Sequence, residues 1–247
     1  MEKIFSLRNI SKKFPNKGVV LENVSLDVFE GECLVLAGAN GSGKTVLMRV
    51  ACGLIEPDAG EILFRGAPIS KARRGSVGMI FQEADSQILG ETVAEDTAFG
   101  PKNLRLSREE VKRRTDIALS AMGLAEKQGY SPRRLSGGEK RRLAVAGVLA
   151  MGCETIVMDE PFANLDWQGV RQVLEIVVQM KTQGKTLIIL THELEKILAF
   201  ADRLVILGQG GIRDDGKPAD VLDRLDPSWG VRDPRVSYTA ITDCTWL

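Results

Sequence analysis

Two stretches of this chain carry residue types and spacings suited to chemistry on a phosphate ester. Gly38-Ala39-Asn40-Gly41-Ser42-Gly43-Lys44-Thr45 fits G-x-x-x-x-G-K-[ST]. Gly38, Gly41 and Gly43 let a loop wrap tightly, so that its backbone N–H groups, those of Asn40 and Ser42 included, converge on phosphate oxygens. A helix beginning just after the loop adds partial positive charge. Lys44 is placed for the outer phosphates, and Thr45 offers a hydroxyl to Mg²⁺, a cation that takes oxygen ligands and shares them with nucleotide phosphates. The second stretch, Thr155-Ile156-Val157-Met158-Asp159-Glu160, is an apolar run ending in two carboxylates. Asp159 fits the Mg²⁺ partner. Glu160 would polarise an attacking water, a task in which a placed base contributes about 10²- to 10⁴-fold. The one histidine in the sequence, His192, follows a third apolar run, Thr186–Thr191. It is expected on the same sheet edge as Asp159, within reach of a γ-phosphate, and it has no partner at metal-ligand spacing.

Positioning these groups requires buried parallel strands. Cys33–Ala37 reads as such a strand ahead of the phosphate loop, and 46–54 as the apolar helix after it. Strands running into functional residues are what an open α/β sheet shows at its ligand-binding edge. Residues 1–30 and 59–70 alternate apolar and polar around turns and predict antiparallel strands. Between Gln82 and Leu135 the character changes. Thr92-x-x-Glu95 and Ser107-x-x-Glu110 both fit capping boxes and Gly123 fits a helix stop, so this insert is expected to be helical. A helix from Glu139 to Met151 would bury Leu143, Ala146, Gly147 and Ala150. Another, over 167–183, would bury Val170, Val173, Leu174 and Val177 and end at Gly184. A helix is also expected after His192. From Gly210 onward Gly, Asp and Pro cluster, and the end, with aromatics at Trp229, Tyr238 and Trp246, reads as an accessory tail.

Leu135-Ser136-Gly137-Gly138-Glu139, combined with the phosphate loop, is the signature of an ABC-type ATPase, and over nearly its whole length the chain resembles the ATP-binding subunit of an ABC transporter. The resemblance implies an α/β P-loop NTPase core with an antiparallel β subdomain and an inserted α-helical signature subdomain at approximately 83–150. It implies a single ABC ATPase domain over 1–247, with 212–247 as the accessory tail, and ATP and Mg²⁺ as cofactors. Phe14, in Lys12-Lys13-Phe14-Pro15, resembles the aromatic that stacks on adenine, although a core Phe would suit the pattern nearly as well. Gln82 ends a strand and resembles the glutamine that senses Mg²⁺ and water. Ala163-Asn164-Leu165-Asp166 resembles the D-loop, with Ala-Asn in place of the commoner Ser-Ala. Val46 replaces a frequent Ser or Thr beside the α-phosphate. Each ATP would then lie between Lys44, Thr45, Gln82, Asp159, Glu160 and His192 of one subunit and Ser136, Gly137, Gly138 and Asp166 of a second ATPase subunit, either another copy or a related chain.

One stretch narrows the resemblance. Phe81-Gln82-Glu83-Ala84-Asp85-Ser86-Gln87 and the following run from Glu91 to Leu104, with its Ala98-Phe99-Gly100-Pro101, are similar to the ATPases of energy-coupling factor importers. These serve vitamins and transition-metal cations such as cobalt and nickel. That implies ATP hydrolysis driving solute import, a transmembrane coupling subunit, a substrate-binding membrane subunit and a peripheral place on the cytoplasmic face of the cell membrane. Glu83, Asp85, Glu95 and Asp96 are expected to receive a basic segment of the coupling subunit. The competing reading is a soluble ABC ATPase of protein-complex or iron-sulfur cluster assembly. A DNA clamp would want a long coiled-coil insertion, and a translation factor of this superfamily would want two ATPase cores.

Composition leads to the expectation of a soluble, cytosolic engine. The chain has 247 residues, 44% of them hydrophobic, enough for a sizeable core. Lys plus Arg and Asp plus Glu each number 33, so the net charge is zero, and no basic excess points to nucleic acid. No apolar run approaches the ~20 residues of a membrane span, and Met1-Glu2-Lys3-Ile4 lacks a signal-peptide pattern. Cys33, Cys52, Cys153 and Cys244 show no C-x-x-C spacing, and reduced, mostly buried thiols are expected.

Overall fold

The computed structural model describes residues 2–16, 18–69 and 77–235. β1 (Lys3–Phe14) and β2 (Gly18–Phe29) pair antiparallel, with Ile4, Leu7, Ile10, Leu21, Leu26 and Val28 turned inward. β3 (Cys33–Ala37) breaks with that pattern, because all five of its residues are buried. Cys33, Val35 and Ala37 join one hydrophobic cluster while Leu34 and Leu36 join a second on the opposite face. A strand apolar on both faces belongs in the middle of a parallel sheet covered on two sides.

α1 (Lys44–Ala51) leaves the loop after β3 and buries Leu47, Met48 and Val50 in the second cluster, where each such side chain stabilises by about 1.5–3 kcal/mol. β4 (Ala59–Phe64) and β5 (Ala67–Pro68) complete a four-stranded sheet in the order β2-β1-β4-β5. This is the antiparallel subdomain the alternation predicts, and its inner face shares the second cluster with α1. The parallel sheet is resumed by β6 (Val77–Ile80). The insert follows, with α2 (Val93–Asn103), α3 (Arg108–Ala121) and α4 (Gly137–Met151).

Thr92 forms a full capping box with Glu95. Ser107 caps α3 by accepting from the Glu110 N–H, but the return half expected from the sequence is missing. The Glu110 carboxylate is held instead by Arg113 and Arg114 at 2.7–2.8 Å, and charge-assisted bonds outcompete a neutral amide donor. α4 packs on β6 so closely that a Cβ on Gly78 would lie 2.3 Å from Val148 Cγ1, so the sheet reaches the signature helix only through a glycine.

β7 (Thr155–Asp159), α5 (Trp167–Thr182), β8 (Thr186–Thr191), β9 (Arg203–Gly208) and β10 (Gly211–Gly216) complete the core sheet, in the order β10-β9-β3-β8-β7-β6. All neighbours are parallel except β9 and β10. α5 buries Val170, Val173, Ile176, Val177 and Met180; Leu174, expected in that stripe, lies half exposed beside it. Two expectations change. No α-helix follows His192; 194–196 and 198–200 are 3₁₀ turns. The stretch from 212, read as a tail, begins inside β10, a strand of the core sheet, and continues into α6 (Pro218–Asp223), whose Val221 and Leu222 are buried, as is Val231 beyond it. Cys33, Cys52 and Cys153 are free and buried, with their thiols pushed up by burial to about 12, 12 and 11. Cys244, Tyr238 and Trp246 lie outside the described residues.

Candidate functional site

The phosphate-loop sequence sits between β3 and α1, as strand–loop–helix spacing demands. The loop cannot take a larger residue at its entry, since a Cβ on Gly38 would fall 2.1 Å from the Leu207 carbonyl oxygen and 2.8 Å from Ser42 Oγ. Ser42 Oγ is buried and has no hydrogen-bond partner, a polar atom left for a ligand inside the loop. Gly43 caps α1, and no acidic side chain occupies the first turn of that helix.

Around the loop opens a cavity of about 610 Å³. Asn40, Gly41, Ser42, Gly43, Lys44 and Thr45 of the loop line it together with Gln82, Glu160 and Phe14. Phe14 is half-buried, lies outside both hydrophobic clusters and carries Lys12 Nζ 5.6 Å above its ring, so the core-Phe reading does not describe it. Val46 lines the cavity as expected. Five lining residues are not among those expected from the sequence: Pro15 and Asn16, next to Phe14, and Val20, Arg49 and Ile55. Arg49 follows Thr45 by one helical turn and was legible from that spacing. Val20 and Ile55 arrive from a strand and a loop by tertiary packing alone.

The charged groups converge on the C-terminal edge of the sheet. Lys44 is buried; its Nζ donates to the Gly38 and Ala39 carbonyls at 2.7 and 3.2 Å and lies 3.7 Å from Glu160 Oε1. Burial lowers its pKa, opposed by Glu160 and Asp159. Thr45 Oγ1 donates to Asp159 Oδ1 at 3.1 Å. His192 Nδ1 stands 3.1 Å from both Glu160 oxygens, the geometry of an Nδ1–H donating to a carboxylate. His192 is thus joined to Glu160 directly, a contact the sequence reading did not contain. Glu160 sits one residue beyond β7 at φ +45°, a conformation costing on the order of 1 kcal/mol for a non-glycine residue. Gln82 lies two residues past β6 and is exposed.

Asp159 is buried and its pKa is raised, chiefly by desolvation. A carboxyl raised in the folded state costs nothing below its ordinary range and destabilises increasingly as pH climbs through the folded value. Asp159→Asn should therefore stabilise the ligand-free protein at neutral pH, with the gain shrinking as pH falls toward the ordinary carboxylate range. Denaturant unfolding across pH measures this, and a less stable Asn variant at pH 7 would contradict it.

The remaining predicted residues do not reach this cavity. Ser136 caps α4 in a capping box with Glu139, which starts the helix at Gly137 rather than Glu139. The Ser-x-x-Glu pattern in the sequence is the signal for this cap. Ser136 and Gly137 are exposed, and Gly138 is half exposed. Asp166 is exposed too and caps α5 by accepting from Gly169 N–H at 2.8 Å.

Of the four acids assigned to a docking groove, three are occupied within the chain. Asp85 pairs with Lys140 at 2.6 Å, Glu95 completes the α2 cap, and Asp96 Oδ1 accepts from the Leu89 and Gly90 N–H groups. Charge reversal at Glu95 and Asp96 would damage the α2 cap and the 89–90 loop. A cavity of about 580 Å³ does lie here, between residues 85–91 and the start of α4. Gln87 shapes its approach by accepting from Phe81 N–H and donating to the Met79 carbonyl, which gives the Asp-x-Gln pattern a structural reason.

The donor set suits a hard cation. A hydroxyl and a carboxylate meet at Thr45 and Asp159, and among the described residues no cluster of three or more His, Cys, Asp or Glu offers a closed metal centre. That is the donor set for an ion that completes its shell with phosphate and water. Among the described residues no helix is long and apolar enough to cross a membrane.

The ABC transporter family profile matches residues 21–163. A Halobacterium salinarum protein carrying an ABC transporter ATP-binding name is 44% identical, over 94% of this chain and 100% of its own length. The energy-coupling factor transporter ATP-binding protein of Methanocaldococcus jannaschii is 37% identical, over 95% of this chain and 87% of its own. Among solved structures, cbiO1 of Clostridium perfringens, part of the ABC transporter complex cbiONQ, superposes with a TM-score of 0.81 at 30% identity, covering 90% and 92% of the two chains. A dimeric ATP-binding cassette in a post-hydrolysis state with ADP and Pi gives 0.75 at 26% identity, covering 86% and 98%.

Proposed function

The chain belongs to the ABC transporter ATP-binding family and is an ATPase; from that premise we propose that it energises import of a small solute, a vitamin or a transition-metal cation such as cobalt or nickel, through a membrane partner. The observation that carries the reading is a division within the chain. Lys44, Thr45 and Glu160 line one cavity, with Asp159 bonded to Thr45 beside it, whereas Ser136 and Asp166 stand exposed outside it. An ATP held in that cavity is completed by the signature helix of a second ATPase subunit, this chain or a related one. Similarity to an energy-coupling factor ATPase over 95% of the chain supports the import branch.

The site's own groups support hydrolysis. The Gly38–Gly43 loop and the α1 N-terminus present N–H groups and partial positive charge to phosphate, and Lys44 supplies a cation whose withdrawal from the Gly38 and Ala39 carbonyls frees its ammonium for the outer phosphates. Phe14 offers a ring face for adenine. Glu160 takes the role of base toward water, and the His192 contact fixes the carboxylate's direction. Gln82 faces the same space from the loop after β6. Thr45 and Asp159 would hold Mg²⁺, which when bound offsets the negative charge of the phosphates.

The groove between residues 85–91 and α4, with Leu89 exposed at its rim, is where a coupling subunit would dock. A substrate-binding membrane subunit would complete the assembly on the cytoplasmic face of the cell membrane. The test is to isolate the chain from native membranes with its bound subunits, reconstitute them in vesicles, and follow uptake of labelled cobalt, nickel and vitamins. ATP-dependent uptake of one of these is expected. Recovery only in soluble assembly complexes, with no ATP-driven uptake, would overturn the reading.

A further inference from the structure

Arg141 lies in the second turn of α4 and makes no ion pair among the described residues. Its Nη1 donates to the Pro161 carbonyl at 2.8 Å and its Nη2 to the Gln82 carbonyl at 3.4 Å. One guanidinium therefore spans the loop after β7, which holds Glu160, and the loop after β6, which holds Gln82. Burial lowers its pKa, with no carboxylate beside it to offset the cost. A half-buried cation held only by two carbonyls is an expensive way to fasten a helix, so its placement calls for a reason.

We propose that Arg141 is a positioning residue that ties the signature helix to the loops of Glu160 and Gln82. The proposal rests on Glu160 acting as the base. Glu160 occupies the left-handed region at φ +45°, which its neighbours must enforce. Its N–H donates to the Leu190 carbonyl and its own carbonyl accepts from Ala163 N–H, and Arg141 secures the next carbonyl along, that of Pro161. Pro161 has no N–H, so this carbonyl is the residue's whole backbone hydrogen-bonding capacity.

Beside Arg141, Lys140 binds Asp85 at 2.6 Å, so consecutive side chains of α4 grip the 82–85 loop at two points. Any shift of this end of α4 then moves the base and the glutamine together. Lys140 and Asp85 also line the groove of the coupling subunit, so an occupant there pulls on the same tie. A planar fork suits the span; an ammonium is a point donor on a flexible stem.

Steady-state ATPase kinetics of Arg141→Gln and Arg141→Lys, beside Glu160→Gln and with melting temperatures for each, test the proposal. Arg141→Gln should lower kcat by about tenfold with KM for ATP within about twofold, and Arg141→Lys should recover part of kcat. Melting temperatures should stay near wild type. If Glu160→Gln is inactive while Arg141→Gln keeps wild-type kcat, the positioning role fails and the base stands. If Glu160→Gln turns over normally, the base reading fails and this proposal with it. Equal losses in the Gln and Lys variants that track a fall in melting temperature reduce Arg141 to a stabilising residue and overturn the proposal. Should Arg141→Gln be unfolded at assay temperature, the Lys variant decides alone: an intermediate kcat at unchanged KM supports the tie, and wild-type kcat refutes it.

Discussion

Glu160→Gln is expected to cut ATP turnover by about 10²-fold or more while leaving ATP binding intact, so that an ATP-bound dimer accumulates. Gln matches Glu in volume and can occupy the same left-handed backbone, so the loop geometry survives. What is lost is a buried carboxylate 3.1 Å from His192 Nδ1 and 3.7 Å from Lys44 Nζ. Without that charge nothing at the position accepts the proton of an attacking water, and His192 loses an ionic acceptor. Lys44 loses a neighbour that opposes the desolvation of its cation, and with it the carboxylate that competes with phosphate for its ammonium. Single-turnover hydrolysis, nucleotide titration and gel filtration with ATP separate these effects. Turnover near wild type would remove Glu160 from the role.

Much of this site is legible in the sequence because its parts are local. Strand, glycine loop and helix follow one another from Cys33 to Ala51, and each is specified by neighbours in the chain. The Glu160–His192 contact is not of that kind. It depends on β7 and β8 lying side by side with Asp159 opposite Leu190, and no spacing in a single sequence encodes which strands are neighbours. The missing helix after His192 has a geometric cause. Ten residues, 193–202, must carry the chain from the far end of β8 back to the start of β9, a return of about 20 Å at ~3.3 Å for each residue of a six-residue strand. A continuous α-helix over all ten covers only about 15 Å at 1.5 Å per residue, whereas two short 3₁₀ turns at about 2.0 Å per residue, with more extended residues around them, span the return.

β10 is not legible in the sequence because Gly211-Ile212-Arg213-Asp214-Asp215-Gly216 has a loop's composition. An edge strand with one neighbour tolerates it, and ion pairs from Arg203 to Asp215 and from Arg224 to Asp214 hold its acids in place. At α3 and α4 the capping pattern alone could not decide the outcome. Glu110 is drawn away by two arginines, while Glu139 keeps its cap and also binds Lys127.

Mixing two inactive variants should restore activity if the signature of one subunit serves the ATP of the other. Lys44→Ala removes the buried cation at the phosphate loop, and Ser136→Arg places a large cation where an exposed cap begins α4. Each homodimer then has two damaged sites. Losing the Ser136 cap costs about 1 kcal/mol of helix stability, which a melting curve on the variant detects and which should leave the fold intact. In the mixed dimer the altered loop of one subunit faces the altered signature of the other, so both lesions fall in one composite site and the second site is whole. ATP-dependent dimerisation should return on mixing, together with hydrolysis up to about half the wild-type rate if one site fires alone. If Ser136 acted on the ATP of its own chain, each subunit would carry one lesion into its own site, both sites would stay damaged, and mixing would restore neither. Subunit exchange, followed by energy transfer between two fluorophore-labelled wild-type pools, makes a negative result decisive for the homodimer. A mixture that exchanges yet stays inactive would place the partner signature on a different ATPase chain or return Ser136 to its capping role alone, and repeating the mix with the co-purified chain separates those two.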